Sequence, residues 1–158
     1  MQPAVERFVA RLADAGLEVE VREFSESTHT AGEAATAIGC PVAAIVKSLV
    51  FELDGEPLLV LASGSVRVDT DALGARLGGT ITKADAATVK SATGYSIGAV
   101  PPIGHETPLR TVLDESLLEL PIVWAAAGSA SAVFGLEPSA LALLSGAEVL
   151  PVGAAAAF

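Results

Sequence analysis

"IVKSLVFELDGEPLLVLAS", residues 45–63, is two apolar runs hinged on Asp54-Gly55. The flanks are rich in valine, leucine and phenylalanine, and Asp-Gly supplies the backbone angles of a tight two-residue turn, so the stretch predicts a β-hairpin. The rest of the chain arranges itself around that pair. Upstream, Val5, Phe8, Val9 and Leu12 recur at helical spacing in a helix over about residues 3–15 that stops at Gly16, and "LEVEVREF" (17–24) alternates as a strand. Thr30, with Glu33 three positions on, has the form of a capping box opening a helix that ends near Gly39.

Downstream, Asp69 or Thr70 caps a short helix through Leu77, Gly78-Gly79-Thr80 breaks it, and a further helix runs over about residues 84–92. "LRTVLD" (109–114), "LPIVWAAA" (120–127) and "SAVFGL" (131–136) read as strands. "EPSALALLSG" (137–146) reads as a helix with Pro138 in its first turn, and "AEVLPV" (147–152) as a last strand. Hairpins mixed with helices point to a mixed α/β (α+β) sheet rather than a doubly wound one. With no repeat or linker, residues 1–158 are expected to form one domain, and the tail "GAAAAF" (153–158) to fray.

Nineteen acidic residues against nine basic ones give a net charge of −10, which argues against broad attraction to nucleic acid and leaves room only for a local basic patch. Lys83 and Lys90, seven apart, would share a helix face, with Arg67, Arg76 and Arg110 scattered elsewhere. One cysteine, Cys40, forms no internal disulfide, and Glu6 and Asp14 interrupt any secretory signal, so a reducing, cytoplasmic setting is expected. No apolar run reaches the roughly 18 residues that span a bilayer, so no membrane association is expected.

Most enzyme signatures are absent. Two histidines and one cysteine offer no metal-ligand spacing, and there is no nucleophile elbow, Walker loop or dinucleotide fingerprint. No metal or cofactor is expected. Ser63-Gly64-Ser65 reads as a hairpin exit, Cys40 as a small buried group, Trp124 as a core filler, and His29 and His105 as hydrogen-bonding or solvated residues in polar or turn-rich loops.

Two features resist a purely structural reading. Period-2 geometry puts Lys47 on the strand face of Ile45, Leu49, Phe51 and Leu53, where a lysine must either snorkel to an edge or meet an anion. "YSIGAVPPIGH" (95–105) crowds Gly98, Pro101, Pro102 and Gly104 together, forbidding helix and central strand alike and making a shaped loop.

Together these features resemble a known family. "AGEAATAIGCPVAAIVKSLVF" (31–51), the hairpin, "SVRVDTDALGARLGG" (65–79), "ATGYSIGAVPPIGH" (92–105) and "IVWAAAGSASAVFGLEPSALALLSGAEV" (122–149) are similar in order and spacing to the YbaK/ProX aminoacyl-tRNA deacylases, over about residues 25–150. The resemblance implies a compact domain related to the editing insertion of bacterial prolyl-tRNA synthetase, its mixed twisted sheet partly closed like a barrel with flanking helices. It implies trans hydrolysis of a mischarged tRNA, with alanine or cysteine on tRNA(Pro) as the leading substrate and prolyl-tRNA synthetase as a candidate companion. DNA is not an expected partner.

By the same resemblance Lys47, Gly98 and Ala99 would be catalytic, the lysine attracting the terminal adenosine's phosphate or orienting the ester and the loop backbone facing the reacting carbonyl. Thr30, Val100, Pro101, Pro102, Gly128 and Ser129 would bind substrate. Two positions depart from the family: Ala99 stands where a second glycine is common, and Ser129-Ala130-Ser131 stands where many members carry a basic pair with glycine. A noncatalytic module of the same fold, holding a nucleotide-like or small acidic ligand or a protein, is the alternative reading.

Overall fold

The structure, a computed structural model, describes residues 1–25 and 30–153. His29 and all but the first residue of the alanine-rich tail lie outside the described residues. The hairpin forms as its sequence dictates: β2 (Val46–Leu53) and β3 (Glu56–Ser63) pair antiparallel from Val46 opposite Ser63 to Leu53 opposite Glu56. Asp54 and Gly55 both take positive φ, +50° and +86°, which matches the turn to the twist of the two strands.

Around the hairpin the chain builds a five-stranded mixed sheet in the order β4-β2-β3-β5-β8, with β4 (Ile81–Lys83), β5 (Arg110–Asp114) and β8 (Glu148–Leu150). β5 runs parallel to β3 and to β8, while β4 runs antiparallel to β2. A second, three-stranded sheet has the order β1-β7-β6, from β1 (Val21–Glu23), β6 (Val123–Ala126) and β7 (Ala132–Leu136). Neither sheet closes on itself. A parallel bridge from Ile45 to Trp124 brings their edges together.

Both faces of the hairpin are covered, which explains its near-continuous apolar sequence. Val46, Leu59 and Leu61 enter the main core with Val5, Phe8 and Leu12 of α1 (Pro3–Asp14), where the Phe8 and Phe134 rings lie 5.1 Å apart at 50°. Leu53, Leu58, Val60 and Ala62 pack on the opposite face with Leu73 of α3 (Thr70–Leu77). Helix starts are locally encoded: Thr30 accepts from the Glu33 amide at 3.1 Å to open α2 (Ala31–Ile38), and Asp69 accepts from the Ala72 amide at 3.0 Å to open α3. The α5 helix (Pro138–Ser145) begins on its proline.

One expectation fails. Lys83 and Lys90 do not share a helix, because Lys83 ends strand β4 and only Lys90 lies in α4 (Ala86–Thr93), which Asp85 caps. The strand owes its existence to β2, whose outer edge it pairs at Phe51, Glu52 and Leu53. Since β4 covers only that end, residues 46–50 of β2 keep an edge that no β4 residue pairs.

Candidate active site

A cavity of about 500 Å³ lies along that uncovered stretch of β2. Its wall draws on the start of α2, β2, the end of β4, the Ile97–Val100 loop and the β6-β7 hairpin. Of the residues predicted for the site, Thr30, Lys47, Gly98, Val100 and Ser129 line it together, although they come from four separate stretches of sequence. Ala99, Pro101, Pro102 and Gly128 do not line it.

The loop is held from both ends. At its start, Arg7 donates to the Gly94 carbonyl at 3.1 Å and stacks its guanidinium over the Tyr95 ring at 5.0 Å, while the Thr93 hydroxyl accepts from the Tyr95 amide at 3.1 Å. At its end, His105 Nε2 bonds the Pro101 carbonyl at 2.7 Å, and because a carbonyl only accepts, Nε2 carries the proton. Burial holds the His105 imidazole below its ordinary pKa, with the Pro101 bond opposing that shift and the Arg11 charge adding to it. Pro102 and His105 border a separate recess of about 180 Å³.

Between these anchors Ser96 to Ala99 form a turn closed by the Ala99 amide donating to the Ser96 carbonyl at 2.9 Å. Gly98, at φ +84°, occupies the position of a type II turn that requires positive φ. This geometry decides the role of Ala99. Its amide is committed to Ser96, and the residue is 8% exposed and outside the cavity wall, so its methyl does not narrow the cavity. The neighbouring amides of Gly98 and Val100 make no hydrogen bond among the described residues, and both residues face the cavity.

Lys47 finds a partner of a third kind. Its Nζ donates to the Val66 carbonyl at 2.6 Å, on the segment that follows β3. Burial pushes the ammonium below the ordinary lysine pKa, and the negative charge of Asp114 partly offsets this. Asp114 is itself buried and firmly placed: it accepts from the Ser63 amide at 3.0 Å, and from the amide and hydroxyl of Ser116 at 3.0 and 2.8 Å. The lysine is thus fixed beside the cavity rather than trailing into solvent.

The sequence reading named Lys83 and Trp124 but assigned neither to a cavity. Lys83, an exposed residue at the end of β4, brings a second cation to the cavity. Trp124 is half-buried: it packs against the cluster of Ala34, Ala35 and Ile45 and also forms part of the wall, with the Arg22 guanidinium 4.6 Å from its ring. Their signal lies in pairing: Lys83 sits opposite Phe51, and Trp124 bridges Ile45, both contacts made only after folding.

Local packing places Gly128, Ser129 and Cys40. Gly128, at φ +105°, passes so close to α1 that a Cβ would stand 2.9 Å from the Ala4 carbonyl oxygen. The Ser129 hydroxyl pairs with that of Ser131 at 3.2 Å, so two serines close this turn. Cys40 is half-buried beside Ala34, Ala35 and Ile45, and burial pushes its thiol pKa up. Among the described residues no three His, Cys, Asp or Glu side chains gather as a metal site. No helix among them is long and apolar enough to cross a membrane.

Residues 25–144 match the aminoacyl-tRNA editing domain. The chain is 32% identical over 133 residues to the uncharacterized protein YwhH of Bacillus subtilis, covering 84% of this chain and 85% of that protein. It is 33% identical over 82 residues to a proline–tRNA ligase of Desulfovibrio desulfuricans, covering 51% of this chain but 14% of the ligase. A crystal structure of a candidate trans-editing enzyme for prolyl-tRNA synthetase superposes with a TM-score of 0.93 at 41% identity, covering 98% of this chain and 99% of that one. By sequence and by fold, this chain belongs to the aminoacyl-tRNA editing domain family.

Proposed function

We propose that this protein is a free-standing deacylase that hydrolyses the ester of a mischarged tRNA, with alanyl- or cysteinyl-tRNA(Pro) as substrate. The observation that carries the reading is the joining of the fixed Lys47, the exposed Lys83 and the unbonded amides of Gly98 and Val100 in the wall of one open cavity. Water adds to the ester carbonyl, the bond to the terminal ribose oxygen breaks, and that oxygen leaves as a hydroxyl while the amino acid departs as its carboxylate. Two amides aimed at the developing oxyanion lower such a barrier by about 3 kcal/mol or more without a protein nucleophile.

Editing is needed because a synthetase pocket rejects a smaller apolar side chain by only about 1–3 kcal/mol. With a net charge of −10, the protein binds tRNA through local cations rather than a broad basic face. Lys47 and Lys83 would supply that contact near the acceptor end, in place of the basic turn that residues 129–131 lack. Prolyl-tRNA synthetase is the proposed companion, in keeping with what the similar solved structure is described as serving. The test is a panel of tRNAs carrying correct and incorrect amino acids. Hydrolysis of the mischarged members by folded protein supports the reading, and hydrolysis of none refutes it.

A further inference from the structure

Three residues of the cavity wall carry hydroxyls: Thr30, Ser48 and Ser129. Two are committed within the protein: Thr30 accepts from the Glu33 amide at 3.1 Å and donates to its carboxylate at 3.2 Å, and Ser129 pairs with Ser131. The third is not. Ser48 Oγ is buried and has no hydrogen-bond partner among the described residues.

Its setting makes that vacancy costly. Ser48 shares its strand face with Val46 and Val50, both in the cavity wall, and stands opposite the fully buried Leu61 on β3. Val89 and Val100, both of the main core, line the same cavity. A hydroxyl placed in such a wall without a partner loses its bonds to water and gains nothing in return. The hydroxyl is closed off from the cavity as it stands, and rotation of the serine about its Cα–Cβ bond opens it; a ligand that then offers a donor or an acceptor recovers the loss, and a ligand that offers only a methyl does not.

We propose that Ser48 is the specificity-determining residue of the cavity, favouring a small aminoacyl side chain that carries its own hydrogen-bonding atom, a hydroxyl or thiol, over alanine. This rests on the deacylase reading and selects among its substrates. Lys47 and the loop amides act on parts common to every aminoacyl ester, whereas a hydroxyl set among valines separates side chains of nearly equal size. A site that bonds a substrate's polar atom discriminates more sharply than one that senses a methylene.

The test compares wild type, Ser48→Ala and Ser48→Thr on tRNA(Pro) carrying serine, cysteine or alanine, and in parallel measures binding of unreactive 3′-amide analogues of seryl- and alanyl-adenosine. The wild type should favour the seryl and cysteinyl esters. Ser48→Ala should lower the seryl-to-alanyl ratio of kcat/KM about tenfold, with alanyl hydrolysis retained, and Ser48→Thr should keep the preference. The analogue affinities should move in the same direction. Active enzyme whose ratio is unchanged in Ser48→Ala, or whose three rates fall together, overturns the assignment while leaving the deacylase reading intact. Wild type that hydrolyses no ester refutes the deacylase reading, and if it also binds both analogues equally, no selective role remains for Ser48.

Discussion

Lys47 Nζ donates to the carbonyl oxygen of Val66 at 2.6 Å, so the one lysine in the hairpin is held by backbone, not by a carboxylate. A carbonyl holds the ammonium in place without neutralising it, and its charge stays available to an anionic substrate. Lys47→Ala should therefore reduce deacylation by about 10²-fold or more, the scale of losing one preorganised electrostatic contact, with little change in thermal midpoint. Lys47→Arg should not restore the rate, since the planar guanidinium cannot reproduce a point charge on that carbonyl. Single-turnover rates and thermal melts of the three proteins check both statements.

The turn at Ser96–Ala99 separates two adjacent small residues. Gly98 stands at φ +84° with open space around a would-be Cβ, so Gly98→Ala meets no neighbour and costs the about 1–2 kcal/mol of placing an L-residue in the left-handed region. Its deacylation rate should also fall, because the same turn sets the direction of the Gly98 and Val100 amides. Ala99→Gly should cost about 0.4–1 kcal/mol through unfolded-state entropy and leave the rate near wild type, as the methyl lies outside the cavity. Urea denaturation with parallel rate measurements distinguishes the two.

His105 makes the loop sensitive to acid. Burial holds its folded pKa below the ordinary 6.5, so the unfolded chain takes up this proton at higher pH than the folded protein does. The contribution to stability is fully present above about pH 6.5 and is lost as the pH falls through the window between that value and the lower folded pKa. His105→Gln should flatten the fall in thermal midpoint across that window, and an unchanged slope would remove His105 from the account.

Lys83 should act on tRNA binding rather than on the fold. It is exposed, so Lys83→Ala should leave the thermal midpoint within experimental scatter while raising KM. If it meets a phosphate, the slope of log affinity against log salt should shrink by about one. A salt titration of tRNA binding by wild type and variant measures the difference.

How far the sequence revealed all this depends on the range of each contact. The hairpin and the Thr30 and Asp69 caps are written in neighbouring residues, and they were legible because turn and cap chemistry acts over two to four positions. Strand β4 was not, because Ile81-Thr82-Lys83 is too short to show a period and exists by pairing with the distant β2, Phe51 standing opposite Lys83. The same range hid the cavity role of Lys83, the bridge that puts Trp124 in the wall, and the Val66 carbonyl that answers Lys47. Lysine on an apolar strand face posed the right question, and only the fold could supply the partner.

The most direct test of the central claim is the rate at which purified protein hydrolyses alanyl- and cysteinyl-tRNA(Pro), measured against prolyl-tRNA(Pro) and against the Lys47→Ala variant. The account predicts rapid loss of at least one mischarged ester, sparing of the prolyl ester, and a large drop for the variant. Equal rates for wild type and variant, or no hydrolysis by a wild type shown to be folded, would contradict it.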